Sequence, residues 1–159
     1  MDFPERVYTT GEVQEARELI DSGYKHQLIV EGSLDFKQKV YRILELTKTA
    51  DFFEFVQTYI RRILEIDGLT QLRETEVEIW ANKFAVENPV DGASLFVQKA
   101  FSMKEYLYGD LYYGGLAEKR SIEKRLEFLE SLKNRTEEES VKAECERLLE
   151  MWAESSLAY

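Results

Sequence analysis

The side chains that most often carry catalysis or metal binding are scarce in this chain. It has one histidine, His26, and one cysteine, Cys145. A zinc or di-iron site needs several histidines, cysteines or Glu-x-x-His pairs, and no such set can be assembled here. The chain also lacks a G-x-S-x-G nucleophile motif, and Gly114-Gly115 is not followed by the lysine of a phosphate loop. The sequence therefore predicts no catalytic residue, no metal site and no cofactor.

The two rare residues have ordinary structural interpretations. Cys145 lies between Val141 and Leu148 on an apolar helical seam, where a thiol behaves as a small hydrophobic side chain. We expect it to be buried and unreactive. His26 lies in the segment 24–31, and a single histidine there is more often a partly exposed residue than a base or a ligand.

Binding chemistry is better represented than catalytic chemistry. Arg62 borders the apolar half of a predicted helix, where its guanidinium can lie over aromatic rings or meet an anion. The alternative is an aliphatic stem that covers the edge of the core while the charged head stays in water. Tyrosines surround the glycine-rich turn at residues 108–115; they are typical of recognition loops, but they can also simply close one end of a bundle. Our candidate binding residues are Arg62, Trp80, Tyr108, Tyr112 and Tyr113.

Helices are the elements that the apolar spacing predicts. Residues 51–68, DFFEFVQTYIRRILEIDG, place nine apolar side chains on about half of a helix circumference. A stripe of this width is more than one neighbouring helix can cover. We therefore predict a central helix over residues 51–68, with the other helices packed around it.

One run, YKHQLIVE at residues 24–31, has the apolar and β-branched composition of a strand. A single strand needs a partner for its backbone groups. The sequence leaves three solutions open. The run pairs with the N-terminal arm, it pairs with its copy in a dimer, or it is a buried extended or helical segment without a ladder.

The other segments follow the helical period. A capping box at Thr9 and Glu12 begins one helix and Ser33 begins another. Residues 69–88 and 91–108 continue the pattern, and each segment ends at a proline or a glycine. We expect a helix in each of these segments.

The predicted fold is all-α. Narrow apolar seams in two segments of residues 116–159 predict a C-terminal helical hairpin. Together, six or seven helices arranged as helical hairpins form a single-domain bundle over residues 1–159. An extended arm at residues 1–8 precedes it, and at most one short strand lies near residues 24–31.

Composition limits the classes of partner. The net charge of −10, from 31 acidic and 21 basic residues, repels phosphate backbones, so we expect no nucleic-acid partner. The chain has no apolar run of about 20 residues and no leader-like start, so we expect no membrane association. A single cysteine excludes an internal disulfide, and a reducing cytoplasm is the expected location.

These patterns favour a non-catalytic, acidic protein that binds another protein or assembles with itself. The alternative is an enzyme or a small-ligand-binding protein whose pocket lies between helices and is lined by tyrosines, glutamates, Trp80 and Arg62. A third hypothesis is an acidic inhibitor that occupies the basic groove of a nucleic-acid-binding protein, although the mixed-sign helices weigh against it. A deep cleft with an ion pair favours a ligand, and a flat apolar patch favours a protein partner.

Self-association is predicted at two places. The run Leu28 to Val30 invites strand pairing if it is exposed. The C-terminal segment carries Trp152, Leu157 and Tyr159, which have little following chain to bury them. We therefore predict a symmetric homodimer that forms through one of these two regions, because a two-fold dimer is the commonest closed assembly.

Overall fold

The computed structural model describes residues 2–110 and 112–157, with side chains to residue 155. This part of the chain forms six α-helices and four short strands. In chain order they are α1 Thr10–Asp21, β1 Ile29–Glu31, α2 Leu34–Thr49, α3 Phe53–Tyr59, β2 Arg62–Ile66, β3 Gln71–Arg73, β4 Glu78–Asn82, a short 3-10 helix Lys83–Val86, α4 Pro89–Leu107, α5 Gly115–Arg135 and α6 Glu139–Leu157.

The prediction of an all-α bundle is wrong, because the chain folds around a mixed sheet. Helices account for 63% of the structure and strands for 10%. The strand order is β1-β2-β4-β3, with β1, β2 and β4 parallel and β3 antiparallel to β4. A parallel sheet buries its strands under helices. Accordingly α2 packs on β1 and α4 packs on β3, so these two helices cover one face of the sheet.

The predicted central helix over residues 51–68 is the main error. The helix α3 ends at Tyr59, Ile60 is extended with φ −125° and ψ 123°, and β2 follows. The isoleucines at 60, 63 and 66 are spaced by three, which imitates the helical period. Two parallel neighbours decide the outcome, because β1 and β4 pair with β2 on its two sides and satisfy its backbone groups.

The helix predicted at residues 69–88 is also wrong, because β3, β4 and the 3-10 helix occupy this segment. Val77, Ile79 and Ala81 are completely buried, and the residues between them lie on the opposite face. This alternation has a period of two, which is the period of a strand. The helical reading fails because it placed Trp80 and Ala81 on one face.

The strand-like run at residues 24–31 finds its partner inside the chain. Its last three residues form β1, which pairs with β2 in the register Val30 to Ile63. The sequence left open two pairing partners and a segment without a ladder, whereas the actual partner, β2, lies inside the predicted central helix. The N-terminal arm instead packs near the β3–β4 turn, where the Val7 amide donates to the Thr75 carbonyl at 2.8 Å.

The helix starts predicted at Thr9 and Ser33 are confirmed. Thr9 and Glu12 form the reciprocal capping box of α1, and the Ser33 hydroxyl accepts from the Phe36 amide at the start of α2. The helices α5 and α6 pack against each other across the short connection 136–138. Buried side chains from the sheet and from all six helices belong to one hydrophobic cluster, so the sheet face under α2 and α4 is fixed in position.

Candidate interaction surface on the sheet

The face of the sheet turned away from α2 and α4 is partly exposed, and we call it the open sheet face. The strand register places its side chains in two adjacent rows. The first row is Ile29, Arg62, Glu78 and Arg73, and the second is Glu31, Leu64, Trp80 and Gln71. The opposite face is buried, with Ile63 and Ile79 at 0% exposure. The open sheet face therefore carries the charged and aromatic side chains that the core excludes.

Arg62 lies at the centre of the first row between two carboxylates. Its Nε is 3.5 Å from Glu78 Oε2 and 3.6 Å from Glu31 Oε1. Both distances are too long or too poorly aligned for a hydrogen bond, and this nitrogen has no hydrogen-bond partner among the described residues although it is shielded from solvent. The side chain as a whole is 33% exposed. The guanidinium is thus held in place by charge while part of its donor capacity is unused.

Trp80 is fixed from both sides in the second row. Its indole Nε1 donates to Glu78 Oε1 at 2.9 Å, and the Arg73 guanidinium lies over its ring, 4.2 Å from the ring centroid. The Glu78 side chain is only 12% exposed, so one carboxylate orients Trp80 with one oxygen and faces Arg62 with the other. Among the aromatic side chains, the indole ring attracts a cation most strongly.

Two strained backbone positions lead into this face. Leu28, before β1, has φ 59°, and Val77, before β4, has φ 62°. A left-handed conformation is rare for a β-branched residue and costs about 1–3 kcal/mol. Both side chains are buried, at 7% and 0% exposure, and the Val77 carbonyl accepts from the Arg61 amide at 2.8 Å. Packing of these two side chains in the core therefore stabilises the strained backbone from which β1 and β4 begin.

The structure brings two of the five candidate residues together, Arg62 and Trp80. The reason given for Arg62 is wrong, since it lies on a strand and not at the edge of a helix. Glu78, Arg73 and Glu31 were missed. For Glu78 the signal is the alternation of residues 77–82, which places Glu78 and Trp80 on the same side of one strand; no comparable local signal points to Arg73 or Glu31.

The predicted tyrosines form a separate cluster at the end of α4. The Tyr108 hydroxyl donates to Asp21 Oδ1 at 2.7 Å, and burial together with this hydrogen bond raises the pKa of Tyr108 to about 12. The Tyr112 ring meets the rings of Tyr106 and Tyr113 edge-on at 5.3 and 5.2 Å. Tyr113 is 66% exposed, whereas Tyr108 packs against the core. Only the outer part of this cluster can meet a ligand.

The two rare residues do not form a reactive site. Cys145 is completely buried, as predicted, and burial raises the pKa of its thiol to about 11. His26 is only 3% exposed, so the expectation of a partly exposed residue is wrong. The rings of Phe3 and Tyr24 lie against it at 4.5 and 5.0 Å, and burial lowers its pKa to about 4. His26 Nε2 has no hydrogen-bond partner in the part of the chain that the structure describes.

Other concave surfaces do not contain the predicted residues. A shallow groove of about 420 Å³ lies between α2 and α6 beside Arg42 and Glu144, and another of about 310 Å³ lies beside Tyr8 and Tyr106. Neither is lined by Arg62 or Trp80. Within residues 2–110 and 112–157, no cluster of three or more histidine, cysteine or acidic side chains could hold a metal ion. None of the described helices combines the length and the apolar character needed to cross a bilayer.

The fold and the surface together define a mixed α/β protein in which helices cover one face of a four-stranded sheet and the other face presents a charged aromatic cluster. Comparison with protein families, with characterised proteins and with solved structures finds no match to this chain.

Proposed function

We propose that this protein acts by binding another protein through the open sheet face and does not catalyse a reaction. The observation that carries the proposal is the arrangement of Arg62, Trp80 and Arg73 around the nearly buried Glu78. Tryptophan and arginine are the residue types most enriched where protein interfaces concentrate their binding energy. Side chains already held in one geometry lose little further conformational entropy on binding.

The exposed part of the Arg62 side chain, as distinct from its shielded Nε, indicates what kind of group a partner would place here. A carbonyl or carboxylate oxygen of a partner that approaches the guanidinium gains a charge-assisted hydrogen bond. The two carboxylates at 3.5 and 3.6 Å offset the positive charge, so a neutral backbone carbonyl suits this position better than a second anion. Leu64 and Ile29 beside Arg62 supply apolar area on the same face.

Self-association through β1 is part of the same proposal. Within the described residues, β1 pairs with β2 on one side only, and Ile29 is 42% exposed beside its free edge. A second copy could extend the sheet there by antiparallel pairing around a two-fold axis. Val30 is buried at 8% exposure, so Ile29→Lys tests this contact without disturbing the core. The proposed location is the cytoplasm, where a buried, protonated thiol at Cys145 needs no partner.

Quantitative co-purification tests the main proposal. The tagged chain is expressed in its source organism, and retained proteins are compared with those retained by the double variant Arg62→Ala/Arg73→Ala. The matched control is Arg6→Ala/Arg135→Ala, which removes two exposed arginines from other surfaces. We expect a protein that is retained by the wild type and the control and reduced at least tenfold with the sheet variant.

Two results would overturn the proposal. One is a set of bound proteins that does not change with the sheet variant. The other is a small molecule, detected by native mass spectrometry of the purified chain, whose binding depends on Arg62 and Trp80. That second result would establish the ligand-binding alternative.

A further inference from the structure

The N-terminal arm contacts residues that come shortly before the parallel strands. Val7 fixes one part of it in the core, because this side chain is completely buried and its amide donates to the Thr75 carbonyl at 2.8 Å. The Val7 carbonyl accepts from the Tyr106 hydroxyl at 2.6 Å. Residues 2–5 precede Val7 and belong to no helix or strand, and we call them the arm tip.

Arg61 holds the backbone of the arm tip. Its guanidinium donates to the Pro4 carbonyl at 2.6 Å and to the Glu5 carbonyl at 3.0 Å. In the part of the chain that the structure describes, residues 2–5 make no backbone–backbone hydrogen bond. The arm tip can therefore detach from Arg61 while the sheet and the helices keep all of their own hydrogen bonds.

Phe3 places the arm tip over a buried histidine. The Phe3 ring stacks on Tyr24 at 5.2 Å and meets the His26 ring at 4.5 Å, with 73° between the two planes. His26 is 3% exposed, and its Nε2 is shielded without a hydrogen-bond partner among the described residues. A protonated imidazole has two N–H donors to satisfy, and an aromatic ring offers no lone pair to either. The closed arm tip therefore fits the neutral form of His26 better than its cation.

The backbone of His26 is fixed in place under the arm tip. Its amide donates to the Gln57 carbonyl at 2.9 Å, and its carbonyl accepts from Gln57 Nε2 at 3.1 Å, so α3 holds it through two hydrogen bonds. Tyr24, the other ring against His26, is held to α1 because its amide donates to the Leu19 carbonyl at 3.0 Å. The arm tip is thus the part of the cover with the fewest attachments, and it is the part that can move away from a charged imidazole.

The charge that acts on His26 is positive. Burial, with a smaller contribution from the Arg61 charge, lowers the His26 pKa to about 4. Glu5 on the arm tip and Glu78 on β4 act on Arg61, and neither contributes to the shift of the imidazole. The other groups that contact His26 are uncharged: the Phe3 ring, the Tyr24 ring and the Gln57 amide. A proton on His26 would therefore place a second cation near Arg61 in a shielded site.

We propose that the arm tip is an acid-sensitive latch, in which proton uptake by His26 releases residues 2–5 while Val7 and the rest of the fold stay in place. Release brings water to the imidazole, separates Phe3 from Tyr24 and frees the Arg61 donors. As the pH falls, an aromatic ring and a guanidinium become accessible beside the amino ends of the parallel strands. This latch is separate from binding at the open sheet face and does not depend on it.

Proton linkage sets the direction and size of the effect. The His26 pKa is about 4 with the arm tip closed, and release returns it toward its ordinary value of 6.5. The released form therefore binds the proton more tightly, so the ratio of released to closed chains increases as the pH falls from 6.5 to 4 and levels off outside this window. This ratio should increase about 20-fold between about pH 7 and about pH 5.

A direct titration is possible because the chain has a single histidine. The imidazole Cε1 proton is followed by NMR as the pH is lowered, in the wild type and in Phe3→Ala. Removal of the covering ring should increase the proton affinity of His26 at least tenfold. The matched control is Tyr8→Ala, which removes an aromatic side chain that is 70% exposed on the same arm and should leave the titration unchanged.

A second measurement follows the arm tip itself. Para-fluorophenylalanine replaces Phe3 in the full chain, and saturation transfer by fluorine NMR measures the released population at about pH 7 and about pH 5. We expect an increase of about 20-fold in the wild type and about twofold or less in His26→Phe, which keeps a ring against Phe3 but cannot take up a proton. Circular dichroism at both pH values checks that the helices remain folded.

Three results would overturn the latch. A wild-type His26 that titrates with its ordinary pKa would show that the closed arm tip does not exclude the charge. A titration that is unchanged in Phe3→Ala, or changed equally in Tyr8→Ala, would show that Phe3 does not keep His26 neutral. A released population that is undetectable at about pH 5, or that increases equally in His26→Phe, would show that this histidine does not drive release. None of these results bears on the partner of the open sheet face, whose retention is tested with Arg62→Ala/Arg73→Ala.

Discussion

Arg62 and Arg125 are both held by acidic partners, but their surroundings differ. The Arg125 guanidinium donates to Ser94 Oγ at 2.8 Å, to Gln98 Oε1 at 2.9 Å and to Asp91 Oδ1 at 2.7 Å. Each of its nitrogens has a partner, the residue is 8% exposed, and the Trp152 ring lies 5.2 Å from it. Arg62 is 33% exposed on a sheet face, and its Nε has no such partner.

The difference separates a structural arginine from a binding arginine. Burial of a charge is tolerated only where hydrogen bonds replace water, and Arg125 satisfies this condition by joining α4 to α5. Arg62 is only partly enclosed, and the exposed part of its side chain remains open to water or to a partner. If this difference is real, substitution of Arg125 should cost far more unfolding free energy than substitution of Arg62.

The largest effect should come from a buried charge that has no partner. Ile60 is completely buried between α3 and β2, so Ile60→Asp places a carboxylate among apolar side chains. We expect a loss of unfolding free energy of about 4 kcal/mol or more, enough to unfold a domain of ordinary stability. Circular dichroism and urea titration measure it.

The matched control for Ile60→Asp is Leu69→Asp, which introduces the same carboxylate at a side chain that is 88% exposed. It should change the unfolding free energy by about 0.5 kcal/mol or less. A soluble, cooperatively folded Ile60→Asp variant of near wild-type stability would contradict the position assigned to the core.

Loss of the satisfied arginine should have the next effect. Arg125→Met keeps the aliphatic stem and removes the guanidinium, which leaves Gln98 Oε1 and Asp91 without their donor. We expect a loss of about 2–4 kcal/mol in unfolding free energy, measured by urea titration. Arg125→Lys should recover only part of this loss, because an ammonium cannot reproduce three diverging hydrogen bonds. If Arg125→Met were as stable as the wild type, Arg125 would not be the structural residue that its hydrogen bonds indicate.

Helix starts could be predicted from the sequence because they depend on local contacts, whereas the sheet depends on long-range contacts. The helix starts at Thr9 and Ser33 depend on residues three or four positions apart, so local patterns were sufficient. The strand β2 depends on β1 and β4, whose paired residues lie 33 positions before and 16 positions after those of β2 along the chain. Its partners are set by tertiary packing, and the spacing of its isoleucines fits a helix equally well.

The candidate site was predictable only in part for a related reason. Arg62 and Trp80 belong to residue types that are common at interfaces, although Arg62 was chosen for a place on a helix that the structure does not contain. Glu78, which joins them, is an ordinary acidic residue in a segment predicted as helix. Its role depends on the parallel register of Arg62 with Glu78, and no local pattern contains that information.

His26, like Arg62, has a shielded nitrogen without a hydrogen-bond partner among the described residues, but the imidazole can avoid a buried charge by staying neutral. Burial, with a smaller effect of the Arg61 charge, lowers its folded-state pKa from 6.5 to about 4. The unfolded chain therefore takes up a proton as pH falls through 6.5 while the folded chain does not, so stability falls between pH 6.5 and 4 and levels off below. We expect a loss on the order of 2–3 kcal/mol across this window.

The measurement for His26 is unfolding free energy against pH for the wild type and for His26→Phe. Phenylalanine keeps ring contacts with Phe3 and Tyr24 but cannot take up a proton. The difference between the two curves isolates the histidine from the many carboxylates that also titrate. Parallel curves between pH 6.5 and 4 would show that His26 titrates normally in the folded chain.

The smallest effect on stability should come from substitution of Arg62. This measurement shows whether Arg62 is a binding residue or a structural residue. Arg62→Met keeps a stem that can cover Leu64 and Ile29, and it removes a partly exposed charge whose ion pairs are long. Glu78 keeps its hydrogen bond from the Trp80 indole, so its carboxylate is not left without a partner. We expect a change of about 1 kcal/mol or less in unfolding free energy.

Arg62→Met and Arg125→Met form a matched pair, because each replaces one arginine with the same side chain. Urea titration of both variants, side by side, should show that only Arg125→Met loses substantial stability. Arg62→Met should retain the fold and lose retention of the co-purifying protein. An equal loss of stability in both variants would mean that Arg62 is as structural as Arg125, and the open sheet face would then lose its central binding residue.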